Sequence, residues 1–162
     1  MIRIINIQNK SSAIEKLNKY KNKQYPSIDI RFENVHLKEL NEVTGINLFF
    51  KNNLYIGAST LWEITQPEGQ KNTHNSHNLN SGDIIDALSN ITNPNYVIKA
   101  KHGRYAILSN ENASIGEPLI IIIEIGAGIN DNIKANINKI VTIYPKSSKR
   151  NIQEKDIIYK SK

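Results

Sequence analysis

The chain contains no cysteine in 162 residues. A disulfide framework, a thiolate metal site and a cysteine nucleophile are therefore excluded, and the redox compartment stays open. No apolar run approaches the roughly 18 residues of a membrane-spanning helix. The opening Met1-Ile-Arg-Ile-Ile-Asn6 is too brief for the apolar part of a signal peptide, so a soluble chain is expected. Internal repeats are absent, as is a Gly-rich dinucleotide motif. Acidic residues are in deficit: 15 Asp and Glu face 21 Lys and Arg, for a formal charge of +6 and a pI near 9.4. Such an excess attracts polyanions. Much of it, however, lies in residues 10–23 and 146–162, where solvated helix faces and tails commonly carry Lys for solubility.

What is abundant is Ile, Asn and Lys, a bias that A/T-rich codons explain before function does. At 18.4 kDa, a single domain able to bury its own core is expected. Residues 1–53 read as a helical and strand segment packed on a core of residues 54–162.

Two stretches organise the rest. Glu117-Pro-Leu-Ile-Ile-Ile-Ile-Glu-Ile125 is a β-branched apolar run, the pattern of a strand buried on both faces. Asn138-Lys-Ile-Val-Thr-Ile-Tyr-Pro-Lys146 alternates, so Ile140, Thr142 and Tyr144 are expected on one face and Val141 and Ile143 on the other, with Lys146 just beyond. A hairpin through residues 126–138 joins the two. The hydroxyl and phenol on one strand face are candidates for chemistry, although Thr and Tyr are also ordinary strand residues.

Upstream, Ser11-Ser12 can cap a helix to about residue 21, Ile28, Ile30 and Phe32 alternate as a strand, and residues 37–44 form a helix stopped by Gly45. Residues 46–56 read as a hairpin through Lys51-Asn-Asn53. Ser59 or Thr60 can cap a helix in which Trp62 is expected to be core. Residues 66–80 are strongly polar and read as a surface loop carrying His74 and His77. Their spacing of three could suit a metal, but no local carboxylate completes a coordination sphere, so neither metal nor cofactor is expected. Asn80 or Ser81 starts the next helix, with Ile84, Ile85 and Leu88 inward. A hairpin turning at His102-Gly103 follows, with Lys99 and Lys101 expected on one face and Arg104 opening the return strand. Residues 156–160 read as a final edge strand. If the hairpin's strands neighbour the strand of Thr142 and Tyr144, its cations beside Thr142, Tyr144 and Lys146 would make a phosphate-sized pocket.

The order Asp83-Ile-Ile-Asp-Ala-Leu88, Asn93-Pro94, Gly103-Arg104-Tyr105, Pro118-Leu-Ile-Ile121, Thr142-Ile-Tyr144 and Ile157-Ile-Tyr159 resembles the phage and polymorphic-toxin nucleases grouped with barnase, EndoU, colicin-type tRNases and RelE. Phage MuF C-terminal toxin domains are among the proteins it is similar to. The resemblance implies an α+β fold with helices on one side of a four- or five-stranded antiparallel sheet. It further implies metal-independent RNA cleavage, tRNA being the expected substrate. Carried over by position, Arg104, Lys99 and Lys101 would bind phosphate, Thr142 and Tyr144 would contact the scissile group and Lys146 would stabilise charge. A histidine is expected shortly after the Trp62 helix. The chain has Glu63, Gln66 and Glu68 there, so His74 or His77 would have to supply the general base. The resemblance also implies a secreted or delivered toxin acting in the target-cell cytoplasm, with RNA and an acidic immunity protein as partners. The alternatives are a nucleic-acid- or protein-binding module without chemistry and an ADP-ribosyltransferase-like toxin. The second of these is weakened by the lack of a Gln/Glu-x-Glu at a strand end.

Overall fold

Short apolar-alternating segments with turn residues between them become strands, and four amphipathic segments become helices. The structure, a computed structural model, describes residues 1–49, 54–67, 77–126, 137–148 and 154–161. In chain order the elements are β1 (Ile2–Asn6), α1 (Lys10–Asn18), β2 (Asp29–Glu33), α2 (Leu37–Thr44), β3 (Leu54–Gly57), α3 (Ala58–Thr65) and α4 (Ser81–Ser89), then β4 (Pro94–Lys99), β5 (Arg104–Asn112), β6 (Pro118–Ile125), β7 (Asn138–Pro145) and β8 (Ile157–Lys160).

Local chemistry accounts for most of the boundaries. Asn9, rather than Ser11 or Ser12, caps α1, its side chain accepting from the Ser12 N–H at 3.2 Å. Gly45 closes α2 at φ 70°, a left-handed conformation that favours glycine. The chain passes from β3 straight into α3 with Gly57 at the N-cap, so Ser59 and Thr60 do not cap it. Trp62 is only half-buried, and Leu61 and Ile64 take the core positions expected of it. Asn80 caps α4 by accepting from the Asp83 N–H at 2.8 Å. The turn at His102-Gly103 has φ 63° and 70°, the type I′ geometry that matches the twist of paired strands. Residues 46–49 form no strand, and the turn expected at residues 51–53 lies outside the described residues.

All eight strands form one sheet in the order β1-β2-β3-β7-β6-β5-β4-β8. The fold is α+β, but the sheet is larger than the four or five antiparallel strands expected, and it is mixed. β1 runs parallel to β2, and β3 runs parallel to β7. The reason is tertiary: β1 and β2 read as part of a segment packed on the core and β3 as one arm of a hairpin, while the parallel β3–β7 pair joins residues distant in sequence and leaves no hairpin signal. The β6–β7 and β4–β5 antiparallel pairs and the edge position of β8 are as expected.

The four helices cover one face. Leu17, Leu40, Leu61, Ile64, Ile84, Ile85 and Leu88 interlock there with Ile5, Ile30, Phe32, Leu54, Ile56, Ile121 and Ile143. A smaller apolar cluster, Ile98, Ala106, Leu108, Ile120 and Tyr144, occupies the opposite face. No described helix is long and apolar enough to cross a membrane.

Candidate active site on the sheet face away from the helices

A β-bulge decides what this face carries. Ile122 pairs with Thr142 but Ile123 pairs with Ile140, which leaves Val141 as the extra residue of β7. The alternation of side chains is therefore reset at Val141. Ile140 turns into the helix-side core, while Thr142, Tyr144 and Lys139 share the other face. The expectation that Ile140 would line up with Thr142 and Tyr144 is thus corrected, because a period of two survives only in an unbulged strand.

Across this face runs one line of registered residues. Arg31 stands opposite Tyr55, Tyr55 opposite Lys139, Lys139 opposite Glu124, and Glu124 opposite Arg104. Arg104 Nε donates to Glu124 Oε1 at 3.2 Å, and Arg31 Nη2 donates to Glu33 Oε1 at 3.3 Å. Lys139 Nζ lies 3.4 Å from Oδ1 of the buried Asp29. The guanidinium pKa of Arg31 is held above its ordinary value, first by its hydrogen bond with Tyr55 and then by Glu33, with burial opposing. Cations and acceptors alternate along a face that is half-exposed at Arg31, Lys139, Glu124 and Arg104.

Beside this charged line lies the phenol. Tyr144 is 8% exposed, and its ring centroid is 5.8 Å from that of His77 with the planes inclined at 45°. Thr142, between Lys139 and Tyr144 along β7, has a buried hydroxyl with no hydrogen-bond partner among the described residues. An imidazole, a phenol, an unsatisfied hydroxyl and at least two cations therefore share one sheet face. Such a set can move a proton and hold an anion.

His77 meets Tyr144, and Thr142 lies on the same face of β7; Arg104 shares that face but stands two strands away on β5, opposite Glu124, whereas Tyr144 is opposite Ile120. Lys99 is not with them: it pairs with Tyr105, on the helix-side face, away from Arg104. Lys101 precedes the hairpin turn and Lys146 begins a 3-10 turn after β7, both exposed. Lys99 and Lys101 thus do not form the shared cationic face expected of them. His74 lies outside the described residues. His36 and His102 are both exposed, His36 at the N-cap of α2 and 3.4 Å from Glu39, and His102 in the expected turn. Sequence reasoning missed Lys139, Glu124, Tyr55 and Arg31. A signal existed for the first two, since a hairpin closing between residues 125 and 138 sets Glu124 against Lys139. None existed for Arg31 and Tyr55, whose place depends on the parallel β3–β7 pair.

A family model described as the phage MuF-C-terminal domain matches residues 68–162. The chain belongs to this family. The MuF C-terminal match spans α4 and β4 to β8 and includes His77, Arg104, Thr142 and Tyr144. It leaves β1 to β3, with Arg31 and Tyr55, outside. No curated protein and no solved structure matches the chain.

Proposed function

We propose that this MuF C-terminal domain is a metal-independent endoribonuclease of the barnase-EndoU-colicin-RelE type, with tRNA as its substrate class. The observation that carries the reading is the contact of His77 with Tyr144 on the face that also presents Arg104, Lys139 and Thr142. In this reaction the His77 imidazole takes the proton of a ribose 2′-hydroxyl, and the 2′-oxygen forms a bond to the adjacent phosphorus. The bond from phosphorus to the 5′-oxygen breaks, and Tyr144 donates the proton that the departing oxygen needs. The products are a 2′,3′-cyclic phosphate and a 5′-hydroxyl, and proton return from His77 restores Tyr144. Arg104 keeps N–H donors beyond the one given to Glu124, and with Lys139, at the other end of the same face, it would hold phosphates of the flanking RNA. In the same reading the domain is delivered as part of a longer toxin into a target cell's cytoplasm, and the net charge of +6 suits an acidic immunity partner.

Incubation of the chain with total tRNA, and with DNA as control, in EDTA-containing buffer tests this. Discrete fragments ending in 2′,3′-cyclic phosphate and absent with His77→Ala support it; intact tRNA at every enzyme concentration rejects it. A second reading, a nucleic-acid-binding module without chemistry, is favoured by the burial of Thr142 and Tyr144, both 8% exposed, since a scissile group has to reach them. Salt-sensitive binding of tRNA with no product would establish that reading instead.

A further inference from the structure

On the opposite face and at the far edge of the sheet, β1 and α1 enclose a cavity of about 460 Å³. That volume lies within the range of small-ligand sites. Ile5 and Ile28 give it apolar surface, Ile4 lies at its strand edge, and Arg3, Lys16 and Lys19 stand around it. All three cations are exposed, none is in an ion pair among the described residues, and no acidic residue lines the cavity. Two rings complete the wall. Tyr20 and Tyr25 meet edge to face, with centroids 5.7 Å apart and planes at 81°, both half-buried. Lys23 adds a fourth cation 5.3 Å from the Tyr25 centroid.

These features differ from an ordinary lysine-rich surface in two respects. The charges converge on a concavity in place of spreading over a convex face, and they alternate with aromatic rings. Cations spaced around phenolic rings suit a strand whose phosphates meet the charges while a base packs on a ring. An acidic peptide would use the charges but leave the rings without a planar partner. Arg3 stands opposite Ile30, on the helix side, so the cavity faces away from Arg104 and Lys139. It also lies outside the residues matched by the family model.

We propose that this cavity binds single-stranded nucleic acid, a base packed against the Tyr20–Tyr25 ring pair with its neighbouring phosphates on Arg3, Lys16 and Lys19. The site needs no chemistry on the other face, and it would hold a strand apart from the site of cleavage.

The test uses the full chain carrying His77→Ala, so that the probe survives. Fluorescence anisotropy is measured with labelled hexauridylate and hexathymidylate between about 50 and 200 mM salt. Adding Lys16→Ala with Lys19→Ala, two exposed positions whose loss leaves the core intact, is expected to weaken binding about tenfold or more. It is also expected to lower the slope of log affinity against log salt by about 1.4, two single-strand phosphate contacts. Oligonucleotides with 4-thiouridine should cross-link to the peptide containing Tyr20 or Tyr25. Preference for hexauridylate names RNA as the source of the strand, and equal binding of both probes names any single strand. Binding unaffected by the double substitution, or cross-links confined to β5, β6 and β7, overturns the proposal. So does a polyglutamate of equal length that binds as tightly and with the same dependence on Lys16 and Lys19. Cleavage by the unsubstituted chain is scored separately: cavity binding without cleavage removes the ribonuclease reading and leaves this site, and cleavage without cavity binding does the reverse.

Discussion

Lys139 reaches diagonally over β3, past Gly57, to bring its Nζ within 3.4 Å of Asp29 Oδ1 on β2. The Asp29 side chain is 2% exposed and that of Lys139 21%, so the pair is asymmetric. Losing the cation removes the charge that faces a carboxylate with little access to water, whereas losing the carboxylate leaves an ammonium that can turn outward. Lys139→Met is expected to cost about 3 kcal/mol, lowering Tm by roughly 6 to 12 °C, and Asp29→Asn about 1 kcal/mol. In the double variant much of the Lys139→Met penalty should disappear. Simple additivity in denaturant melts of the four proteins would show that the two groups are not coupled.

Gly57 tests the same passage from its middle. A Cβ there would lie 3.8 Å from Asp29 Oδ1, 4.0 Å from Lys139 Cε and 3.7 Å from Thr60 Oγ1, all ordinary contacts. Its φ of −68° suits any residue. Gly57→Ala gains from a less flexible unfolded chain and loses at the N-cap, and the two effects nearly cancel, leaving about 0.5 kcal/mol or less. Gly57→Leu fills the space that the Lys139 side chain crosses and should destabilise about as much as Lys139→Met. A neutral Gly57→Leu in thermal melts would mean that the lysine takes another route.

Thr142 separates stability from activity. A buried hydroxyl without a partner pays its desolvation for nothing in the resting fold. Thr142→Val is therefore expected to raise stability by about 1 kcal/mol. On the ribonuclease reading, the same change lowers cleavage, because the hydroxyl's missing partner is then supplied by the scissile group. A variant less stable than its parent would place an undetected partner on that hydroxyl.

The ring contact between His77 and Tyr144 carries the chemistry proposed for this face. His77→Ala should lower tRNA cleavage by a factor of about 10² to 10⁴, the usual loss when a general base is removed. Tyr144→Phe keeps the ring and removes the proton donor, and a comparable loss is expected with little change in melting temperature. Full activity in the phenylalanine variant would transfer the acid role elsewhere.

A second buried carboxylate ties α4 to the β5–β6 connection. Asp83 Oδ1 accepts from the Ser114 N–H at 2.9 Å and Oδ2 from the Ser114 hydroxyl at 2.6 Å. Asp83 is 7% exposed and sits in the first turn of α4, where the helix dipole also favours an anion. Asp83→Ala removes both acceptors and is expected to cost about 2 to 3 kcal/mol, against about 1 kcal/mol for Ser114→Ala. Equal costs for the two, read from urea unfolding, would assign the whole effect to the hydroxyl.

Several features whose partners lie close in sequence were legible in the residues alone. His102-Gly103 forced a type I′ turn, Gly45 stopped α2, Asn80 capped α4, and the apolar run of β6 found its antiparallel neighbour in β7. Arg104 could therefore be placed at the start of a hairpin's return strand, and Thr142 and Tyr144 on the strand that pairs with β6, but β6 separates the two. The face each would present was another matter. Alternation predicted Ile140 beside Thr142, and a single extra residue at Val141 reversed it; a bulge is set by how two strands fit over a core, not by the residue that forms it. Lys99 was read toward the site and went to the other face by its pairing with Tyr105.

By itself the sequence determined the charge of the protein, its α+β character, the His102-Gly103 turn, the Gly45 stop and the Asn80 cap, and which strands fold back on their neighbours, since each depends on φ preferences and apolar period within a few residues. Only the tertiary structure decided that β1, β2 and β3 complete the same sheet. It alone set Arg31, Tyr55, Lys139, Glu124 and Arg104 in one line, with Asp29 under the lysine. Parallel pairing of β3 with β7 joins residues more than 80 apart, and no local preference of either strand encodes its partner; burial of the shared core does.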